Sequence, residues 1–185
     1  MRMDSREVES AASLLNEWTE SEIASILKRF GEEPRARRLA RSIVESRPLN
    51  ETSDLAEVVR RGVPPHQAGK TLARVFQAIR IAVNQELDAL ERTLEEAMDL
   101  LKIGGRIAVI SYHSLEDRRV KRYFRSGNFE GVVQRDLYGR KLSPLIEVSG
   151  RPVMPAIEET DANPRARSAR LRIAERVSTA DVNNG

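Results

Sequence analysis

The residues best suited to chemistry follow directly after the longest apolar run of the chain, residues 107–110. They form one cluster of polar side chains: Ser111, His113, Ser114, Glu116 and Asp117. A carboxylate or a neutral imidazole can accept a proton, so this cluster suits general acid or base catalysis. The same residues also fit a plain helix start, with Ser114 as the N-cap and Asp117 in an acidic first turn.

The elements on either side predict where the cluster lies. The run RIAVI is short, continuous and rich in β-branched residues, which is typical of a buried strand in a parallel sheet. Residues 115–126 predict a helix whose arginines and lysines face outward. Because ligands of open α/β sheets bind beyond the carboxyl ends of the strands, the cluster lies where a site is expected.

The first 60 or so residues predict a series of short helices. Asp4 with Glu7, and Thr19 with Glu22, resemble capping boxes. Pro34 is expected to be the first residue of a third helix, RARRLARSIVESR, which has apolar residues on one side and arginines on the other. These arginines form either a solvated face or a contact with a nucleic-acid backbone.

The rest of the chain predicts helix, strand, helix, strand, strand. A helix is expected from about residue 53 to 62 with Thr52 as its cap, and GVPPHQAG is expected to be a loop. Residues 70–102 predict a long helical stretch with a break near Asn84. After a loop-rich segment, PLIEVSG and ARLRIAERV predict two further strands, joined by an acidic, proline-containing connection.

Composition and motifs exclude several classes of protein. The chain has no cysteine and only two histidines, so no metal site is expected. Its longest apolar run is far shorter than the roughly 18 residues that span a bilayer, so a cytoplasmic protein without membrane contact is expected. The GKT at 69–71 lacks the earlier glycine of a phosphate loop, and no G-x-G-x-x-G or G-x-S-x-G is present.

Charge is distributed unevenly along the chain. Residues 104–176 carry 15 lysines and arginines against 9 acidic residues, whereas residues 1–103 carry 16 against 18. A basic C-terminal part suits a polyanion such as RNA, because neutralised phosphates supply most non-specific affinity. On charge alone, a solvated basic face is an equally good interpretation.

Four segments carry a resemblance to a known family. They are MRMD, LLNEWTESEIASILKRFGEEPRARRLARSIVESR, FQAIRIAVNQELDALERTLEEAMDLLKIGGRIAVISYHSLEDRRVKRYFR and NPRARSARLRIAER. In this order they closely resemble the bacterial small-subunit ribosomal RNA methyltransferase H family, and the resemblance covers about residues 1–177. The family methylates the exocyclic N4 amine of a cytidine in 16S ribosomal RNA with S-adenosylmethionine.

The resemblance implies an α/β fold, namely the C-terminal half of a Rossmann-like class I methyltransferase with a largely helical inserted domain. This chain is then mostly helical with a small mixed sheet. Its expected parts are the end of a methyltransferase half (1–4), the helical insertion (5–68), the second half of the catalytic domain (69–177) and a disordered tail (178–185). The half that holds S-adenosylmethionine is expected to precede Met1, which agrees with the missing glycine loop.

The resemblance also implies roles for individual residues. Those expected to line a cytosine pocket, where an acceptor for the amine N–H would help, are His113, Glu116, Asp117 and Ser111. Those expected to contact RNA are Arg35, Arg38, Arg41, Arg118, Arg119, Lys121, Arg122, Arg165, Arg167 and Arg170. The implied partners are small-subunit ribosomal RNA or the 30S subunit, together with a second copy or a complementing N-terminal half.

The sequence leaves three hypotheses about function open. The first is a methyltransferase of this family, present as a truncated or split chain. The second is an RNA-binding module without catalysis, and the third is a helical interaction domain. The absence of a cofactor loop favours the second hypothesis for the polypeptide acting alone.

Overall fold

The computed structural model describes residues 10–178, and the chain divides into two compact units, residues 1–86 and 87–185. Each unit has its own apolar core. The capping box expected at Asp4 and Glu7 lies outside the described residues, as does nearly all of the expected tail. Within residues 10–178, no helix is long and apolar enough to cross a membrane.

The first unit is helical throughout its described part. Its helices are α1 (Ala11–Glu17), α2 (Glu20–Arg29), α3 (Ala36–Glu45), α4 (Thr52–Gly62) and α5 (Pro65–Asn84). Their apolar faces meet in one core, whose fully buried members include Leu14, Ile23, Leu27, Leu39, Ile43, Leu55, Val59 and Ile79. This confirms the prediction of a string of short amphipathic helices.

Side-chain hydrogen bonds set the first residues of α2 and α3, and these agree only in part with the sequence predictions. The capping box of α2 is confirmed, since Glu22 Oε2 accepts the Thr19 N–H at 2.8 Å and Thr19 Oγ1 accepts the Glu22 N–H at 3.3 Å. Helix α3 begins at Ala36, two residues after Pro34, because Glu33 Oε1 holds the Arg35 N–H at 3.0 Å.

Two further boundaries were predicted wrongly. The cap of α4 is Glu51, and Thr52 is already helical, because Asp54 Oδ2 accepts the Glu51 N–H at 2.9 Å. The segment predicted as a loop belongs largely to α5, which begins at Pro65. Proline suits the first turn of a helix, where its missing N–H costs no hydrogen bond.

The second unit contains helices packed on a small sheet. Its elements are α6 (Glu86–Leu100), β1 (Arg106–Ser111), α7 (Ser114–Ser126), β2 (Leu145–Glu147), α8 (Ile157–Ala162), a 3₁₀ turn (Pro164–Ser168) and β3 (Arg170–Arg176). The predicted break near Asn84 is confirmed at Gln85, which has a φ of 48°. The predicted order of strands and the helix at 115–126 are confirmed, while α8 lies in a segment predicted only as a connection.

The sheet corrects the sequence prediction. Its strand order is β1-β3-β2 and both pairings are antiparallel, so the described residues form neither the mixed sheet nor the parallel pairing expected for β1. The run RIAVI predicts a buried strand, but alternate residues of β1 are exposed, Ile110 by 57%. Alternation of this kind is typical of an antiparallel sheet with one open face.

The core of the second unit lies between α6, α7 and the sheet. Its buried members are Leu94, Met98, Val120, Tyr123, Phe124, Leu145 and Ala174. This core holds α7 against β1 and β3, and so places the beginning of α7 directly beside the first residues of β3.

Candidate functional site at the end of β1

The turn from β1 into α7 is closed by a capping box formed by His113 and Glu116. His113 Nδ1 accepts the Glu116 N–H at 3.3 Å, and Glu116 Oε2 accepts the N–H groups of Tyr112 at 2.9 Å and His113 at 3.3 Å. The interpretation of Ser114 as the cap is therefore wrong: His113 is the N-cap and Ser114 is the first residue of α7. Imidazole is absent from the usual cap residues, which is why the sequence pattern favoured serine.

The capping contact determines which nitrogen of His113 carries a proton. A ring nitrogen that accepts a hydrogen bond is unprotonated, so in the neutral ring the proton is on Nε2. This atom is buried, lies 3.3 Å from Glu116 Oε1, and makes no well-oriented hydrogen bond within residues 10–178. The basic nitrogen of His113 therefore faces the backbone of α7.

Glu116 is held as an anion. Burial acts to raise the pKa of its carboxyl group, but the adjacent His113 side chain and the hydrogen bonds from the backbone N–H groups of Tyr112 and His113 together outweigh burial, and the pKa is lowered. The first turn of α7 also favours a negative charge. The Glu116 side chain is 25% exposed, so its ionised carboxylate remains within reach of a ligand.

Asp117 lies at the centre of a buried ion-pair network with β3. Its Oδ1 accepts from Arg172 Nε at 2.7 Å, and its Oδ2 accepts from Arg170 Nη1 at 2.9 Å and Arg172 Nη2 at 3.3 Å. Arg172 also donates to Glu147 Oε1 at 2.7 Å. Burial acts to raise the pKa of Asp117, but the two guanidinium groups together lower it.

Sequence reasoning missed Arg172, whose side chain is only 5% exposed. No signal marked it, because alternation along the run LRIA places Leu171 and Ile173 on one face of β3 and Arg172 on the other, whereas the structure buries Arg172 and Ala174. A charge at such a position requires a buried partner, and Asp117 was available. Ser111, at the end of β1, is also buried and its hydroxyl donates to the Arg170 carbonyl at 3.4 Å.

The structure therefore brings all four predicted pocket residues to one place but gives them different surroundings. Ser111 and Asp117 face β3, and Asp117 is saturated by arginines. His113 and Glu116 form the cap, and Glu116 is the more exposed of the two carboxylates. Their roles in catalysis remain predictions.

The cationic residues predicted to contact RNA differ in their availability. On α7 and the 3₁₀ turn, the exposed ones are Arg118, Lys121, Arg122, Arg165 and Arg167. Arg119 is paired with Glu91, with Nε to Oε1 at 2.6 Å, and Arg170 is paired with Asp117. The pairing of Arg119 makes it a less available contact for phosphate.

In the first unit, Arg35 donates to Gln67 Oε1 at 2.5 Å, and Arg41 Nε lies 3.7 Å from Glu20 Oε2. Arg35 and Arg38 line a groove of about 600 Å³, to which Lys28 and Arg37 also contribute. Sequence reasoning did not include Lys28 among the candidate cations.

The residues at the end of β1 do not fit an S-adenosylmethionine site by themselves. Such a site needs a close-approach glycine loop and a free carboxylate for ribose hydroxyls. Here Glu116 Oε2 is occupied by two N–H groups and Asp117 by two arginines. Gly104 and Gly105 lie at the opposite end of β1.

Known proteins that share one name match most of this chain. The chain is 48% identical over 186 residues to the ribosomal RNA small subunit methyltransferase H of Chlorobium luteolum, covering 95% of this chain and 56% of that protein. It is 47% identical to the protein of the same name from Cytophaga hutchinsonii, covering 95% of this chain and 60% of that one. The corresponding protein of Thermosipho africanus is 45% identical, covering 96% and 57%.

The chain thus spans less than two thirds of the length of the relatives it matches. The family model for MraW methylases matches residues 1–177, which include the first unit, most of the second unit and the whole of the site at the end of β1. The resemblance stated from the four sequence segments is confirmed, and the chain belongs to the MraW methylase family.

Proposed function

We propose that this chain forms the substrate-facing part of a cytoplasmic enzyme that methylates the N4 amine of a cytidine in 16S ribosomal RNA with S-adenosylmethionine. The observation that carries the proposal is the family match over residues 1–177, combined with an ionised carboxylate held at the end of β1. The substrate is taken to be the RNA of the 30S subunit. Its phosphates meet the exposed cations of α7 and the 3₁₀ turn.

In this proposal, Glu116 accepts a hydrogen bond from the cytosine amine. The cytosine amine is a poor nucleophile because its lone pair is shared with the ring, and an acceptor for one N–H restores electron density to the nitrogen. Glu116 is ionised and partly exposed, whereas Asp117 is enclosed by Arg170 and Arg172. A positioned acceptor of this kind contributes roughly 10²- to 10⁴-fold.

The other predicted residues act by positioning. His113 fixes the backbone turn that aims Glu116, and Asp117 ties α7 to β3 so that the turn cannot shift. Ser111 completes the contact between the end of β1 and the beginning of β3. Holding a reacting group in place to this degree accounts for much of the rate of a displacement reaction.

The methyl donor supplies an electrophilic methyl carbon, and it must be held by residues other than those at the end of β1. The target base must also leave its stack, which costs a few kcal/mol that backbone contacts offset. The exposed arginines and lysines beside the site are suited to such contacts.

The decisive experiment uses a chimera of this chain with the part of the Chlorobium luteolum relative that the match leaves uncovered. We expect it to methylate 30S subunits that lack this modification, with N4-methylcytidine identified by nucleoside mass spectrometry. Glu116→Gln keeps the shape of the cap and should lower the single-turnover rate at least about 10²-fold. Glu130→Gln, an exposed carboxylate of the same unit, is the matched control.

Different failures of this experiment have different meanings. A Glu116→Gln rate within about threefold of the parent removes Glu116 from the acceptor role and leaves the methyltransferase function standing. Absence of N4-methylcytidine with an intact, folded chimera contradicts the proposed reaction itself.

An RNA-binding module without catalysis is the second candidate, favoured by the absence of a glycine loop from the sequence and by the contacts that occupy Asp117 and Glu116 Oε2. Isothermal titration of the chain alone with S-adenosylmethionine separates the two. Tight binding would contradict our view that the cofactor site is incomplete, whereas salt-dependent RNA binding without cofactor binding supports the module. A helical interaction domain predicts no steep dependence of RNA binding on salt.

A further inference from the structure

A small hairpin in the second unit, residues 134–142, carries two large apolar side chains that pack in neither apolar core. We call it the tip hairpin. Its arms are joined by backbone hydrogen bonds from Leu142 N to the Gln134 carbonyl and from Asp136 N to the Arg140 carbonyl, both 2.9 Å. A bridge between Arg135 and Lys141 completes the ladder.

The turn at its end is rigidly built. Asp136 Oδ1 accepts the N–H groups of Tyr138 and Arg140, both at 2.8 Å, and Gly139 has a φ of 80° that glycine adopts without strain. Arg135 Nη1 donates to the Gly139 carbonyl at 2.6 Å. The turn is therefore held by its own hydrogen bonds, and the one acidic side chain of the hairpin is occupied by them.

The turn displays Leu137 and Tyr138 to solvent. Leu137 is fully exposed and Tyr138 is 83% exposed. The Arg140 guanidinium lies over the Tyr138 ring, 5.4 Å from its centroid. An aromatic ring beside an exposed leucine, on a rigid turn and away from any core, is a feature that indicates a binding surface.

The charges of the tip hairpin favour an anionic partner. Arg135, Arg140 and Lys141 lie on it, and its carboxylate is engaged by two N–H groups. Burial is the main cause that lowers the pKa of Lys141, and the nearby Arg125 and Arg135 lower it further, while Glu147 acts in the opposite direction. A bound phosphate would relieve this mutual repulsion of cations.

We propose that the tip hairpin is an RNA-binding element in which Tyr138 stacks on an unpaired base and Arg135 and Arg140 bind the adjacent phosphates. Base stacking on an exposed aromatic ring beside arginine is the general mode by which proteins bind single-stranded nucleic acid. Leu137 lies beside the ring and can contact the neighbouring base. The inference rests on the proposed function, since it names a contact for the same RNA substrate class.

The test measures stacking directly. The probe is a single-stranded RNA of about 12 nucleotides containing 2-aminopurine, whose fluorescence falls when the base stacks. We expect the 185-residue chain to quench it, Tyr138→Ala to abolish quenching and weaken binding about 5- to 150-fold, and Tyr138→Phe to retain both. Ile157→Ala, at an apolar residue on α8 that is 74% exposed, is the matched control and should change neither.

A second variant tests the phosphate contact independently. Arg140→Gln should reduce the salt slope of binding by about one unit, whereas Tyr138→Ala should leave the slope unchanged, because stacking displaces no counterions. Circular dichroism should be unaltered in every variant, since the substituted side chains lie outside the core.

The outcomes separate this inference from the proposed function. If the chain binds the RNA but Tyr138→Ala neither weakens binding nor restores fluorescence, the tip hairpin is not the contact, and RNA binding elsewhere on the chain stands. If the hairpin variants alter only self-association, the surface is a protein contact and the inference is wrong. If the parent chain binds no RNA at any salt concentration, both the inference and the proposed RNA substrate fail.

Discussion

Replacement of Asp117 by alanine tests the buried network that joins α7 to β3. The side chains of Asp117 and Arg172 are 8% and 5% exposed, so removal of the carboxylate leaves a buried guanidinium that has lost one of its two anions. Breaking a buried pair costs about 3–5 kcal/mol. Because Glu147 still holds Arg172, we expect the lower end, about 3 kcal/mol.

The assay is urea unfolding followed by circular dichroism. With a denaturant slope of about 2 kcal/mol per molar, Asp117→Ala should lower the midpoint by about 1.5 M. Arg170→Ala should cost less than about 1 kcal/mol, because Arg170 is 44% exposed and solvent screens its pair. Asp161→Ala, an exposed carboxylate on α8, is the control and should leave the midpoint nearly unchanged.

The same variant predicts a dependence on pH. The pKa of Asp117 is lowered in the folded state, so its contribution to stability is present above its ordinary value of 3.8 and disappears as pH falls below that value. The difference between parent and Asp117→Ala should shrink over that acidic range. An Asp117→Ala chain as stable as the Asp161→Ala control at neutral pH would refute the reasoning from buried charge.

The remaining predictions concern one helix cap and one tight contact. Glu116→Ala removes half of the capping box and should lower stability by about 1 kcal/mol in thermal unfolding at neutral pH. Because the pKa of Glu116 is lowered, this difference should diminish as pH falls below its ordinary value of 4.5, and a constant difference would exclude the charged cap. Gly31→Ala places a Cβ 2.7 Å from the Leu27 carbonyl oxygen and should cost about 1–3 kcal/mol, read from the fluorescence of the single tryptophan, Trp18. Gly69→Ala, which meets nothing within 4 Å, should not destabilise, so equal losses in the two variants would contradict the steric argument.

Local patterns in the sequence predicted most elements of the chain because their causes are local. Amphipathic spacing located the helices, and the capping box at Thr19 and Glu22 marked the beginning of α2 correctly. Among the boundaries that were predicted wrongly, those at Thr52 and in GVPPHQAG are positions where two nearby residues compete for the cap or where proline is compatible with both loop and helix. Alternative helix starts at such positions differ in free energy by only about 1 kcal/mol, and a sequence pattern does not resolve so small a difference.

The candidate site was likewise predicted only in part. Ser111, His113, Glu116 and Asp117 were identified from their position after an apolar strand, and the structure brings them together. Their different surroundings could not be read from that segment, because the partners of Asp117 are 53 and 55 residues away along the chain. The pairing of Arg170 with Asp117 could not be read from that segment either, and the contact of Arg170 with RNA stays a prediction.

The sequence by itself determined the family, the order of elements and the position of the polar cluster, because these depend on residue types and short spacings. Only the tertiary structure decided that β1 pairs antiparallel with β3, that His113 rather than Ser114 caps α7, and that Asp117 is enclosed while Glu116 stays accessible. The physical reason is that the state of a carboxylate depends on burial and on the charges around it. Those charges come from strands that only folding places beside it.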